Sequence, residues 1–188
     1  MKSLGLSDTY LFGASQGGMM AQVIAARYPE LVRCMVLGST LSKAVPSQTA
    51  STGEWIRLAE EKDTKGLAEA SAKMLYSEKT LAVYGDILVQ PLEEPTEEEL
   101  QQFIYMAKAA SDFDVTGELE HIRCPVFVIG SFGDRLIPPS SQLFTAEAVG
   151  GELYLYDSNY GHVVYDEAPD YKNRMMEFFG RADKRALF

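Results

Sequence analysis

Short apolar runs alternate with longer amphipathic stretches along most of the chain. Residues 8–13, 33–38, 125–130 and 152–156 are nearly unbroken apolar runs, and each predicts a strand. Residues 16–28, 140–149 and 166–180 carry apolar positions at helical spacing. Pro29 closes the first of these helices and Gly150-Gly151 the second. Strands alternating with helices predict an α/β fold, a mostly parallel sheet flanked by helices with right-handed crossovers. Apolar residues at successive strand positions predict a sheet covered on both faces.

Residues 42–114 break this alternation and show no strand pattern. Stretches 54–61, 64–76 and 96–110 predict amphipathic helices, the last opened by a Thr96/Glu99 capping box just after Pro95. The chain thus divides into 1–41, a helical insertion at 42–114, and 115–188. Trp55, Met74, Tyr76, Phe103, Tyr105 and Met106 are the insertion's larger apolar residues. Most are expected to form its own core, and some to line a pocket if the insertion is a lid. Glu93-Glu94 and Glu97-Glu98-Glu99 read as a solvated surface turn.

Between the first strand and the first helix stands Gly13-Ala14-Ser15-Gln16-Gly17, a G-x-S-x-G segment. A serine on a strand–helix elbow holds its hydroxyl above the sheet, and flanking glycines let the backbone pass closely. The Gln16 amide follows at a helix N-terminus, where it is expected to stabilise an oxyanion. There are two histidines. His121 has no acid or nucleophile at a telling spacing around it and reads as structural or surface. His162 follows the fourth strand, after Gly161, at the sheet edge where open α/β folds place their chemistry. Asp134, in the loop after the third strand, is that loop's one carboxylate, and the loop after the second strand has none. A carboxamide or a caged water is the alternative group to orient a histidine. Asp157, at a strand end, reads as a turn cap.

Charge narrows the partners. The formal net charge is −10, which argues against nucleic acid and against anionic membrane surfaces. No apolar run approaches the ~20 residues of a membrane span and no secretory signal opens the chain, so a cytoplasmic protein acting on a small molecule is expected. Cys34 and Cys124 each begin an apolar run and read as buried, reduced thiols.

The order Ser15, Asp134, His162 is that of the α/β-hydrolase fold family. The chain resembles that family in the elbow Gly13–Gly18, in Leu119, Ile122 and Pro125 before a strand, in Gly133-Asp134 with Pro138, and in Gly161-His162. The insertion also falls where the family carries its lid. The resemblance implies Ser15 as nucleophile, His162 as base and Asp134 as orienting acid, with neither metal nor cofactor. It implies a carboxylesterase-like serine hydrolase with no substrate assigned. A binding or assembly module without catalysis, derived from the same fold, is the alternative.

Family members carry several strands and a His-Gly oxyanion loop before the elbow, whereas Ser15 lies only fifteen residues in. The chain therefore resembles the C-terminal part of such an enzyme, either a truncated product or one completed by a partner chain. Losing one oxyanion donor costs roughly 3–4 kcal/mol of transition-state stabilisation, so weak activity is expected. The strand at 8–13 becomes an apolar edge, and a homodimer covering that edge is the expected remedy.

Overall fold

A computed structural model describes residues 1–90 and 94–185. Glu93, read above as part of a surface turn, lies outside the described residues. Four strands, β1 (Thr9–Ala14), β2 (Val32–Gly38), β3 (Val126–Ser131) and β4 (Glu152–Tyr156), form one parallel sheet in the order β1-β2-β3-β4. The register sets Ala14 beside Gly38, Gly38 beside Ile129, and Ser131 beside Tyr156. The carboxyl ends of all four strands therefore share one edge.

Alternation along β2 splits the core in two. Met35 and Leu37 join Val126, Val128 and the alanines Ala21 and Ala25 of α1 (Gln16–Arg27), with Ala146 of α6 (Pro139–Ala148). Cys34 and Val36 face the other way, against Phe127, Ile129, and Tyr171 and Phe178 of α8 (Tyr171–Arg185). Both faces of the central strands are covered, as their uninterrupted apolar runs predict. Small alanines on α1 let that helix lie close to the sheet.

Between β2 and β3 come α2 (Pro46–Glu60), α3 (Thr64–Leu75), α4 (Glu78–Leu88) and α5 (Glu97–Ser111). Trp55 is buried with Met19, Leu41, Leu136 and Ile137, so the insertion shares a core with the elbow helix and the Asp134 loop. Met74 and Phe103 pack against that cluster, while Tyr105 and Met106 are exposed. The capping box at Thr96 forms as its spacing predicts, with Glu99 accepting the Thr96 amide at 2.8 Å.

Three elements depart from the sequence reading. Helix α2 begins at Pro46, not near residue 54. Its Ser/Thr-rich first turns look like loop, yet the hydroxyls of Thr49, Ser51 and Thr52 bond back to carbonyls of their own helix. Helix α4 was not anticipated and is started by Ser77, whose side chain accepts the Thr80 amide. The expected helix at 166–180 is broken into α7 (Val164–Glu167) and α8. Pro169 holds Ala168 in extended backbone and stops the first of them. Cys34 is buried, but Cys124 is only partly so, which corrects the expectation of two buried thiols. Both are free. Among the described residues no helix is long and apolar enough to cross a membrane.

Candidate functional site

The site grows from the tight turn at the end of β1. Ser15 has φ 52° and ψ −122°, a conformation L-residues rarely adopt. Its own amide donates to Gly38 O at 2.8 Å, and Thr40 Oγ1 donates to Ser15 O at 2.7 Å, which over-determine the turn. Gly13 has to be glycine, since a Cβ there would collide with the Gly17 carbonyl. A Cβ on Gly17 would meet nothing among the described residues, so the close approach expected at both glycines operates at the first alone. Gln16 opens α1, so its amide precedes the intrahelical ladder and points out from the positive helix end. Its side chain donates to Met106 O at 2.8 Å and ties the elbow to α5.

The loops after β3 and β4 bring two more side chains to the same place. His162 is 1% exposed, with Nε2 2.8 Å from Ser15 Oγ and Nδ1 2.8 Å from Asp134 Oδ2. Since a carboxylate can only accept, Nδ1 carries the proton toward Asp134. Nε2 of the neutral ring is then left to accept from the Ser15 hydroxyl. The other Asp134 oxygen, Oδ1, accepts the amides of Leu136 (3.0 Å) and Ile137 (2.8 Å). Those two bonds orient the carboxylate and satisfy it in a buried setting. Ser15, Asp134 and His162 therefore meet, although 147 residues separate the first from the last.

His121 is exposed and 3.9 Å from Glu120, and it precedes β3, at the opposite end of that strand from Asp134. Asp157 accepts the Asn159 amide at 2.8 Å, a turn cap as read from the sequence.

Other residues shape the histidine loop without any sequence signal. Ser131 Oγ, at the end of β3, donates to Tyr160 O at 2.5 Å and accepts the Gly133 amide at 3.1 Å, joining the two loops. Glu167 of α7 accepts the Gly161 amide (2.5 Å) through one oxygen and the Ser77 amide (2.8 Å) through the other. It thereby fastens the insertion to the residue before His162. Burial pushes this carboxyl up, but hydrogen bonds from Thr80, Gly161 and Ser77 outweigh burial and hold it below the usual range. Tyr160 lies 29 residues from Ser131 and Ser77 lies 90 from Glu167, so the fold reveals these joints.

A cavity of about 260 Å³ opens beside Ser15, bounded by Gln16 and Met19 below and by Gln48, Trp55, Phe103 and Met106 of the insertion above. Tyr76, one of the insertion's large residues, lies elsewhere. It lines a larger, separate cavity of about 770 Å³ with Tyr84 and Tyr160. Among the described residues no group of three or more His, Cys, Asp or Glu side chains is arranged to hold a metal.

Known proteins share this fold. A family model described as alpha/beta hydrolase fold matches residues 1–169. The chain is 26% identical to the Putative carbamate hydrolase RutD of Agrobacterium fabrum over 98% of its own length and 72% of the relative's. It is 27% identical to the 2-hydroxy-6-oxo-6-phenylhexa-2,4-dienoate hydrolase of Comamonas testosteroni, covering 93% of the chain and 63% of that protein. The fold superposes on MGS-M2, an alpha/beta hydrolase enzyme from a Medee basin deep-sea metagenome library, with a TM-score of 0.86 and 26% identity over 95% of this chain and 67% of that one. Sheet order, elbow, insertion and family model agree: the chain belongs to the α/β-hydrolase fold family.

Proposed function

We propose that the chain is a serine hydrolase in which Ser15 is the nucleophile, His162 the general base and Asp134 the acid that orients it. The observation that carries this reading is the His162 imidazole held 2.8 Å from both Ser15 Oγ and Asp134 Oδ2. His162 Nε2 takes the hydroxyl proton as Oγ adds to a substrate carbonyl. The resulting oxyanion is met by the Gln16 amide. Collapse expels the leaving group, which takes the proton from His162, and an acyl-Ser15 ester remains. Water, deprotonated by the same nitrogen, then releases the acid and regenerates the hydroxyl. Asp134 keeps its charge throughout and stabilises the imidazolium.

In this reading helices α2–α5 are a lid whose inner face bounds the acyl cavity. The bond from Gln16 to Met106 O supports that role, as does the core that Trp55 shares with Met19. Ester, amide and activated carbon–carbon bonds all present a carbonyl to the same machinery. The relatives' names, a carbamate hydrolase and a dienoate hydrolase, give two different substrates. The test is turnover of p-nitrophenyl esters. Ser15→Ala is expected to abolish it and His121→Ala to leave it nearly unchanged. Equal losses in the two variants would overturn the assignment.

A further inference from the structure

Gln48 stands in the first turn of α2, is 2% exposed, and lines the Ser15 cavity. Neither its Nε2 nor its Oε1 has a hydrogen-bond partner among the described residues. Its neighbours differ, since Thr49, Ser51 and Thr52 all donate to helix carbonyls. Gln22, equally buried, is also fully engaged. It donates to Gly18 O and Leu41 O and accepts from Ser42. A buried amide with both ends unpaired carries the whole desolvation cost of a polar group, a cost that an apolar side chain of the same shape would avoid.

We propose that Gln48 selects the substrate of this cavity by pairing with a primary carboxamide or a like donor–acceptor group, such as a carbamoyl or ureido end. The proposal rests on the hydrolase reading for its meaning, because Ser15 and Gln48 line one cavity and one bound molecule meets both. An amide facing an amide closes two bonds at once: Gln48 Nε2 donates to the ligand carbonyl, and a ligand N–H donates to Gln48 Oε1. A carboxylate offers acceptors alone, and the walls, Trp55, Phe103, Met106 and Leu136, hold no cation to neutralise it. A hydrocarbon end would leave the Gln48 amide unpaired. The volume, about 260 Å³, limits the occupant to a short, mostly apolar body. The substrate class is thus a small acyl compound, apolar along its length, with one carboxamide-type group.

Trp55 is the one tryptophan of the chain and lines this cavity, so its fluorescence reports occupancy without any turnover. Hexanamide and 2-heptanone have the same shape, but the ketone lacks the N–H donor. Titrated into the intact chain, hexanamide should saturate with a Kd about tenfold lower than 2-heptanone. Gln48→Met should erase that preference, bind 2-heptanone at least as well, and melt at the same or a higher temperature. Equal Kd values in the unsubstituted chain, no saturable response, or a preference retained in Gln48→Met would each overturn the proposal. If Gln48→Met fails to fold, the ratio in the unsubstituted chain decides alone. Fluorophosphonate labelling of Ser15 separates the two readings. Labelling without carboxamide preference sinks the Gln48 proposal and spares the hydrolase, and preference without labelling does the reverse.

Discussion

Ser15 sits at a backbone conformation that costs a non-glycine residue on the order of 1–3 kcal/mol, and the bonds to Gly38 and Thr40 hold it there. Gly13→Ala sets a methyl against the Gly17 carbonyl and should destabilise the fold by more than about 2 kcal/mol, read as a lowered Tm. An unchanged Tm would mean that the turn is looser than described. Asp134→Asn should keep the fold but slow ester turnover by roughly 10⁴-fold, because a carboxamide can present its N–H to Nδ1 and favour the wrong tautomer. A loss below about tenfold would show that Asp134 does not orient His162. The meeting of Ser15, Asp134 and His162 was legible in the sequence because each stands at a strand end with a type and order that have a mechanical meaning. Gln48 and Glu167 were not. A glutamine in a helical insertion and a glutamate in a short helix look like surface residues until the chain is folded.

Among the elements, the joint that matters most is the clamp of Glu167 on Gly161 and Ser77. Its carboxyl is held below the ordinary value of 4.5, so its contribution to stability is fully present above that value and is lost as pH falls through the lower, folded-state value. Glu167→Gln can satisfy one of the two amides and turns an N–H toward the other. It should cost about 1–3 kcal/mol at neutral pH. The Tm difference between the unsubstituted chain and Glu167→Gln should therefore shrink below about pH 4.5. A difference that stays constant from pH 7 to pH 4 would contradict the clamp. The strands were legible because their apolar runs are short and bounded. The start of α2 was not, since its serines and threonines satisfy their hydroxyls inside the helix. Helix α4 escaped because its apolar positions, Val83, Tyr84 and Ile87, remain exposed rather than marking a buried face.

At the scale of the whole molecule, β1 pairs with β2 alone among the described strands and leaves Tyr10 and Phe12 41% and 42% exposed. An apolar edge strand of this kind is a site for pairing with a second chain. Static light scattering on the 188-residue chain at micromolar concentration should report a homodimer, and a monomer would contradict that expectation. Pairing across a two-fold axis would be antiparallel, so it would cover the edge without adding a parallel neighbour to β1. The fold class and the family were legible because elbow, acid and histidine loops recur along the chain in a fixed order. Of the cavity, Trp55, Phe103 and Met106 were legible as candidate lining, but the other walls were not, since they come from α1, the start of α2 and the Asp134 loop. The account turns on a Ser15 hydroxyl activated by His162. Treatment of the intact chain with a fluorophosphonate, followed by mass spectrometry, tests this most directly. The expected result is one phosphonyl adduct, mapped to Ser15 and absent from His162→Ala. No adduct, or an adduct at another serine, would contradict it.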